Sequence, residues 1–253
     1  MTPFVKYTLP IILLSAGAIG SSAFAASSAA GSGGLATPGV SAPAPTASPA
    51  PPPADPARAQ AEAGMQAHYQ ARRSQFSQDR TPREVVMFGD SLTEGTDWQA
   101  AFPGVSIANR GIGGDATRGM LQRLDEVTGL MPRKVFVMAG INDLAWYGLP
   151  VDEVYDRYIK LIEGLARQKV SVYVMATLKV GASFPADVNQ RVTALNARLR
   201  QYCEKARCRF IDLNPQLAPD GTLSASFSAD QLHLNAAGYA IWIRVIEQWV
   251  TPN

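Results

Sequence analysis

Two rhythms of apolar and polar residues run through the chain after Thr81-Pro82. Short apolar runs begin with Val85-Val86-Met87-Phe88, which stops at Gly89, and recur near 105–108, 135–139, 172–176 and 210–213. They lack internal alternation, so each is expected to be a strand buried on both faces, as in a parallel sheet. Between them, the stretches 116–128, 151–168 and 186–204, and a last one at 236–249, space their apolar residues three or four apart. That is the period of a helix with one buried stripe. Strands alternating with helices predict an α/β fold: a three-layer α/β/α sandwich around a mostly parallel, five-stranded sheet. Ligands in such sheets bind at the carboxyl ends of the strands, so any chemistry is expected there.

Upstream the pattern changes. Residues 57–78 favour helix, with Ala, Gln, Arg and Glu predominating and Met65, Tyr69 and Phe76 as contact points. They are expected to form a helical lead-in, 57–80, lying on a domain that occupies 81–253. Residues 26–56 are almost entirely Ala, Gly, Ser, Thr and Pro and cannot bury enough apolar surface to order themselves, which predicts a disordered tether. Residues 1–25 combine Lys6, a largely apolar stretch from Tyr7 to Ile19, and Ala23-Phe24-Ala25, the three parts of a secretory signal peptide. The apolar stretch is interrupted by Pro10, Ser15 and Gly17 and is shorter than the roughly 20 residues that cross a bilayer. No membrane span is therefore expected after cleavage, and the protein is expected in a periplasm or outside the cell.

Of the 253 residues, 47% are hydrophobic and 17% charged, enough for one sizeable core. Without its signal the chain carries 22 basic and 21 acidic side chains. That balance points away from nucleic acid and from an anionic membrane surface. Two cysteines, Cys203 and Cys208, are a candidate disulfide in an oxidising compartment; the alternative is two free buried thiols. On an unbroken helix, residues five apart exceed the usual bridging Cα separation of ~4.4–6.8 Å, so a bridge requires the helix to end near Lys205. No cluster of His, Cys and carboxylates has metal-ligand spacing, and neither metal nor cofactor is expected.

Candidate chemistry falls at the strand ends. The first strand runs into Gly89-Asp90-Ser91-Leu92, which presents Ser91 where a helix begins: a nucleophile, or a helix cap. The second leads to Asn109-Arg110-Gly111-Ile112-Gly113-Gly114-Asp115, a glycine turn whose N–H groups can face a ligand; Asp115 is expected to cap the helix after it. The third ends in Gly140-Ile141-Asn142-Asp143, which offers an amide donor without proton chemistry of its own. Last comes Asp230-Gln231-Leu232-His233 before the final helix. An imidazole there can take and return a proton if a carboxylate holds its other nitrogen. Trp146 and Tyr147 either wall a substrate pocket or serve as rim and core aromatics.

Alone, each motif fits a cap or a turn as well as a catalyst. Together, G-D-S-L, the glycine turn, G-x-N-D and D-x-x-H in this order strongly resemble the SGNH (GDSL-type) hydrolase superfamily over roughly residues 83–250. The resemblance implies a flavodoxin-like sandwich and an ester hydrolase. It implies Ser91 as nucleophile, Asp230 and His233 as acid and base, and the Ser91 amide, Gly114 amide and Asn142 side chain as oxyanion donors. The phrase from Asn109 to Asp115 is similar to bacterial esterases related to platelet-activating-factor acetylhydrolases, which implies short acyl groups. The chain departs from that pattern at Ala176-Thr177-Leu178-Lys179-Val180, where no proline follows the fourth strand. It also lacks the G-x-S-x-G of ordinary α/β-hydrolases. The expected substrate is a small-molecule, glycan or lipid ester, with acetyl groups on an extracellular glycan foremost. A lysophospholipase or thioesterase for longer chains is the alternative, and a non-catalytic glycan-binding module a more distant one.

Overall fold

The computed structural model describes residues 56–251; the expected signal peptide at 1–25 and the tether up to residue 55 lie outside the described residues. The chain divides between Ala63 and Gly64. The first turns of helix α1 (Pro56–Gln78) fall in the first unit; the rest of α1 and everything after it form the second, which carries all that follows.

Five strands, β1 (Val85–Gly89), β2 (Ile107–Gly111), β3 (Lys134–Met138), β4 (Ser171–Met175) and β5 (Cys208–Ile211), pair in the order β2-β1-β3-β4-β5, all parallel. The interior strand β1, flanked by β2 and β3, has no exposed residue, as its unbroken apolar run requires. The chain steps outward from β1 to β2 and then returns past β1 to β3. Right-handed crossovers therefore put the β1–β2 connection on one face and the later ones on the other. The first connection holds α2 (Ser91–Glu94) and α3 (Trp98–Ala101). On the opposite face run α4 (Thr117–Leu121), α5 (Leu124–Thr128), α6 (Val151–Ala166) and α7 (Ala186–Lys205). After β5 come α8 (Asn214–Leu217) and α9 (Ala236–Val250). Helix α9 joins α3, with Trp98 packed edge-on against Trp242 at 5.1 Å between rings. The α/β/α layering expected from the sequence is thus present.

Four expectations need correction. The last strand lies at Cys208–Ile211 rather than 210–213. The second strand lies at Ile107–Gly111 rather than 105–108. Val105 is held in a turn by its bond to Phe102 O, while Asn109, Arg110 and Gly111 pair with Met87, Phe88 and Gly89. The single helix expected at 116–128 is two short ones, because Arg123 leaves helical geometry (φ −129°, ψ 25°) to turn its side chain inward. Asp115 is not the cap of the helix that follows: Ala116 occupies that position without a side-chain cap, and the Asp115 carboxylate takes Arg123 instead.

Helix α7 ends at Lys205 and Ala206 is extended. This lets Cys203 and Cys208 approach to a Cα separation of 4.9 Å and bond, tying the helix to the edge strand β5.

Asp90, Asp115 and Asp143 are buried beneath the carboxyl edge of the sheet. Asp143 accepts from the Thr117 amide (3.0 Å) and hydroxyl. Asp90 accepts from Leu92 N at 3.0 Å through Oδ1, and its Oδ2 has no partner among the described residues. Burial, reinforced by the other two acids, pushes Asp90 up to about 7. Burial likewise raises Asp115, to about 6, against the pull of Arg123.

Two outcomes follow. Replacing both cysteines by serine opens a short loop and is expected to cost about 2 kcal/mol, or roughly 4–8 °C in Tm for a domain this size; calorimetry of the variant checks this, and an unchanged Tm refutes it. A carboxyl raised in the fold keeps a proton that the unfolded chain has already lost. Its stabilising contribution is therefore complete below the unfolded value near 4 and is lost as pH rises toward about 7. Asp90→Asn keeps the acceptor for Leu92 and removes the titration, so its Tm should decline less between pH 4 and 7 than that of the parent. Parallel Tm curves refute the assignment.

Candidate active site

Strand β1 delivers the chain to the sheet edge, and Asp90 caps α2, so Ser91 is the first helical residue and stands at that edge. Its hydroxyl lies 2.9 Å from His233 Nε2. His233 Nδ1 in turn is 2.7 Å from Asp230 Oδ2. The structure thus brings Ser91, His233 and Asp230, 142 residues apart at the extremes, into one hydrogen-bonded chain.

The local fold of Asp230-Gln231-Leu232-His233 explains its order. Asp230 Oδ1 accepts from the amides of His233 (2.7 Å) and Leu232 (3.0 Å) and from the Ser228 hydroxyl (3.2 Å). Burial pushes the Asp230 carboxyl up, but the bonds from the His233 ring and the two amides outweigh it and hold it below its ordinary value. An ionised carboxylate only accepts, so Nδ1 carries the ring proton and Nε2 is left to accept from the Ser91 hydroxyl. Gln231, which the sequence reading passed over, adopts φ +66°, unusual for a residue with a side chain. It is held there because Gly181 N donates to its carbonyl (2.7 Å) and Ser183 N to its Oε1 (2.8 Å). A Cβ on Gly181 would sit 2.5 Å from Gln231 Cβ, so the close approach requires glycine. The loop after β4, where the expected proline is missing, is thus a clamp on the histidine loop. On the other side the Tyr239 hydroxyl of α9 donates to Leu92 O at 2.9 Å, joining the two halves of the chain.

Gly114 occupies the glycine turn at φ +76°. Asn142 opens a π-helical turn, Asn142–Trp146, closed by Tyr147 N donating to Asn142 O (3.0 Å); such wide turns often mark functional sites. One amide hydrogen of Asn142 is given to Asp115 O (2.8 Å), which fastens the β3 end to the glycine turn and leaves a second hydrogen for a ligand. Trp146 is half-buried with no partner for its ring N–H among the described residues, and Tyr147 is 51% exposed; neither bonds to the Ser91–His233–Asp230 chain. Among the described residues no three His, Cys, Asp or Glu side chains group as metal ligands, and no helix is long and apolar enough to cross a membrane.

Residues 87–241 match the GDSL-like Lipase/Acylhydrolase family. The chain is 32% identical over 174 residues to platelet-activating factor acetylhydrolase IB subunit alpha1 of Pongo abelii, covering 65% of this chain and 73% of that protein. Its fold is similar to a GDSL-like lipase from Bacteroides thetaiotaomicron (24% identity, TM-score 0.64, 73% of this chain and 97% of that one). It is also similar to an acetylxylan esterase from Geobacillus stearothermophilus (20%, TM-score 0.58, 68% and 96%). With a strand-end serine backed by a histidine and a carboxylate on the matched segment, the chain belongs to the GDSL-like lipase/acylhydrolase family and is a carboxylic ester hydrolase of the SGNH type.

Proposed function

We propose that the chain is an exported serine esterase that removes short acyl groups, acetyl foremost, through an acyl-enzyme. The observation that carries the reading is the continuous chain Ser91 Oγ, His233 Nε2, His233 Nδ1, Asp230 Oδ2, with contacts of 2.9 and 2.7 Å. His233 takes the Ser91 proton as Oγ attacks the ester carbonyl, and Asp230 stabilises the imidazolium that results. The tetrahedral oxyanion accepts from the Ser91 and Gly114 amides and the second hydrogen of Asn142. Collapse expels the alcohol, which takes the proton from His233 and leaves the acyl group on Ser91. Water then attacks the acyl carbon as it gives a proton to His233; collapse breaks the bond to Ser91 Oγ, which takes that proton back, and the acid leaves. Trp146 is assigned to the pocket wall, and the exposure of Tyr147 suits a rim.

Short acyl groups are favoured by the likeness to relatives named acetylhydrolases. Export rests on the signal pattern of residues 1–25 and accords with the Cys203–Cys208 disulfide. An acetylated extracellular glycan is the proposed natural substrate.

Hydrolysis of p-nitrophenyl acetate, butyrate and octanoate is expected to fall with chain length, and Ser91→Ala is expected to lose at least about 10³-fold in kcat while keeping its fold. Rates that climb toward octanoate favour the lysophospholipase or thioesterase reading. Failure of a fluorophosphonate to label Ser91, with no turnover of any ester, leaves the binding module. For export, mass spectrometry of the protein from a secreting host is expected to find Ala26 at the N-terminus; an intact Met1 terminus in that fraction contradicts cleavage.

A further inference from the structure

The direction of the Gly114 N–H depends on one peptide plane. Asp115 N donates to Ile112 O at 3.1 Å, closing a four-residue turn, and of its two central residues only Gly114 has positive φ. That makes it a type II turn. Types I and II differ by rotating the central peptide about half a turn, and here that peptide is the Gly113–Gly114 unit. Two glycines in the centre impose little preference of their own, so the proposed oxyanion donor faces inward only if something outside the turn holds it.

Glu94 is placed to hold the turn from its entry side, through the Gly113 N–H of the Ile112–Gly113 peptide on which the central peptide is hinged. It ends α2, one turn beyond Ser91, and its Oε2 accepts from Gly113 N at 2.6 Å. Its carboxylate is itself held from α1: Arg72 Nε lies 3.0 Å from Oε1 and His68 Nε2 2.9 Å from Oε2, with the Glu94 side chain only 14% exposed. Arg72 also donates to Gly111 O (3.2 Å), gripping the strand that feeds the turn. Above the turn, Met65 Sδ stands 3.0 Å from where a Gly114 Cβ would be, and the His68 ring 3.6 Å from that of Gly113. The pairing has an electrostatic purpose as well. A carboxylate this near a developing oxyanion opposes it, and the Arg72 guanidinium offsets that charge.

We propose that Glu94, held by Arg72 and His68, is a positioning residue that keeps the Gly114 N–H turned toward the oxyanion, so that this part of α1 is a working part of the ester-hydrolysing site. The inference rests on the reading of Gly114 as an oxyanion donor. Glu94 touches no reacting atom; it acts through the turn.

The test is steady-state kinetics of the full chain on p-nitrophenyl acetate and its thiono analogue, with Glu94→Ala, Glu94→Gln, Arg72→Ala, Asn142→Ala and Ser91→Ala compared. Loss of a whole donor typically costs ~10²–10³ in rate, and Glu94→Ala is expected to lose about 10- to 100-fold in kcat with KM within about threefold. Because sulfur accepts hydrogen bonds poorly, the oxo-to-thiono rate ratio should fall along with kcat, while the pH profile set by His233 stays in place. Glu94→Gln keeps an acceptor for Gly113 and should recover most of the rate. Should Glu94→Ala fail to fold by near-UV circular dichroism, Arg72→Ala serves in its place and should lower the same ratio. An unchanged ratio in both variants, with Ser91→Ala inactive and Asn142→Ala slow, overturns this inference alone. An active Ser91→Ala overturns the underlying reading instead.

Discussion

The carboxyl edge of the sheet depends on the guanidinium of Arg123. It is wholly buried, lies over the Phe88 ring at 4.7 Å, and donates to Asp115 Oδ2 (2.7 Å), Arg110 O (2.8 Å) and Gly89 O (2.9 Å). One side chain therefore joins the last residue of the strand before Ser91, the second strand, and the acid that follows Gly114. Burying an ion pair is costly, and the penalty is recovered only when the remaining donors are also satisfied. Here two carbonyls at strand ends give each of the other two guanidinium nitrogens an acceptor. Removing one partner of such a pair typically costs ~3–5 kcal/mol because the other is left charged and dry. The broken helix at Arg123 is the local consequence of that demand.

From this anchor the site is assembled by a few long-range bonds. Asn142 fastens to Asp115, Thr117 to Asp143, Tyr239 to Leu92, and Gln231 to the loop after β4. Each joins segments that are far apart in sequence, and each ends on a backbone group, so the geometry is insensitive to side-chain rotation at one end. The arrangement concentrates acids. Asp90, Asp115 and Asp143 sit beneath the carboxyl edge of the sheet, and burial raises all three, Asp90 to about 7 and Asp115, against Arg123, to about 6. Asp230, near the surface and bonded to His233, goes the other way and stays ionised. Burial and partners thus separate the roles of chemically identical side chains.

Ser91, Gly114, Asn142, Asp230 and His233 were legible because each follows an apolar run or precedes a helical one, and the topology of a parallel sheet brings such positions to one edge. Glu94, Arg123 and Gln231 were not. Nothing in the spacing of Glu94 distinguishes it from any acid in a first helical turn, Arg123 reads as a solvated charge inside a helical stretch, and Gln231 occupies a backbone conformation that its type does not favour. The displaced second strand was missed for a related reason. Asn109 and Arg110 look like turn residues until Met87 and Phe88 are there to pair with them.

Local periodicity and motif order were thus enough to determine the layered α/β architecture, the family resemblance and the identity of the residues at the strand ends, because these depend on neighbours within a few positions. The tertiary structure alone decided that Cys203 and Cys208 meet, that Asp115 pairs inward rather than capping a helix, that the 116–128 stretch breaks, and that α1 reaches the glycine turn through Glu94. Those outcomes turn on whether a buried charge finds its partner and whether a polar backbone group finds a bond, and such partners come from segments that only folding brings together.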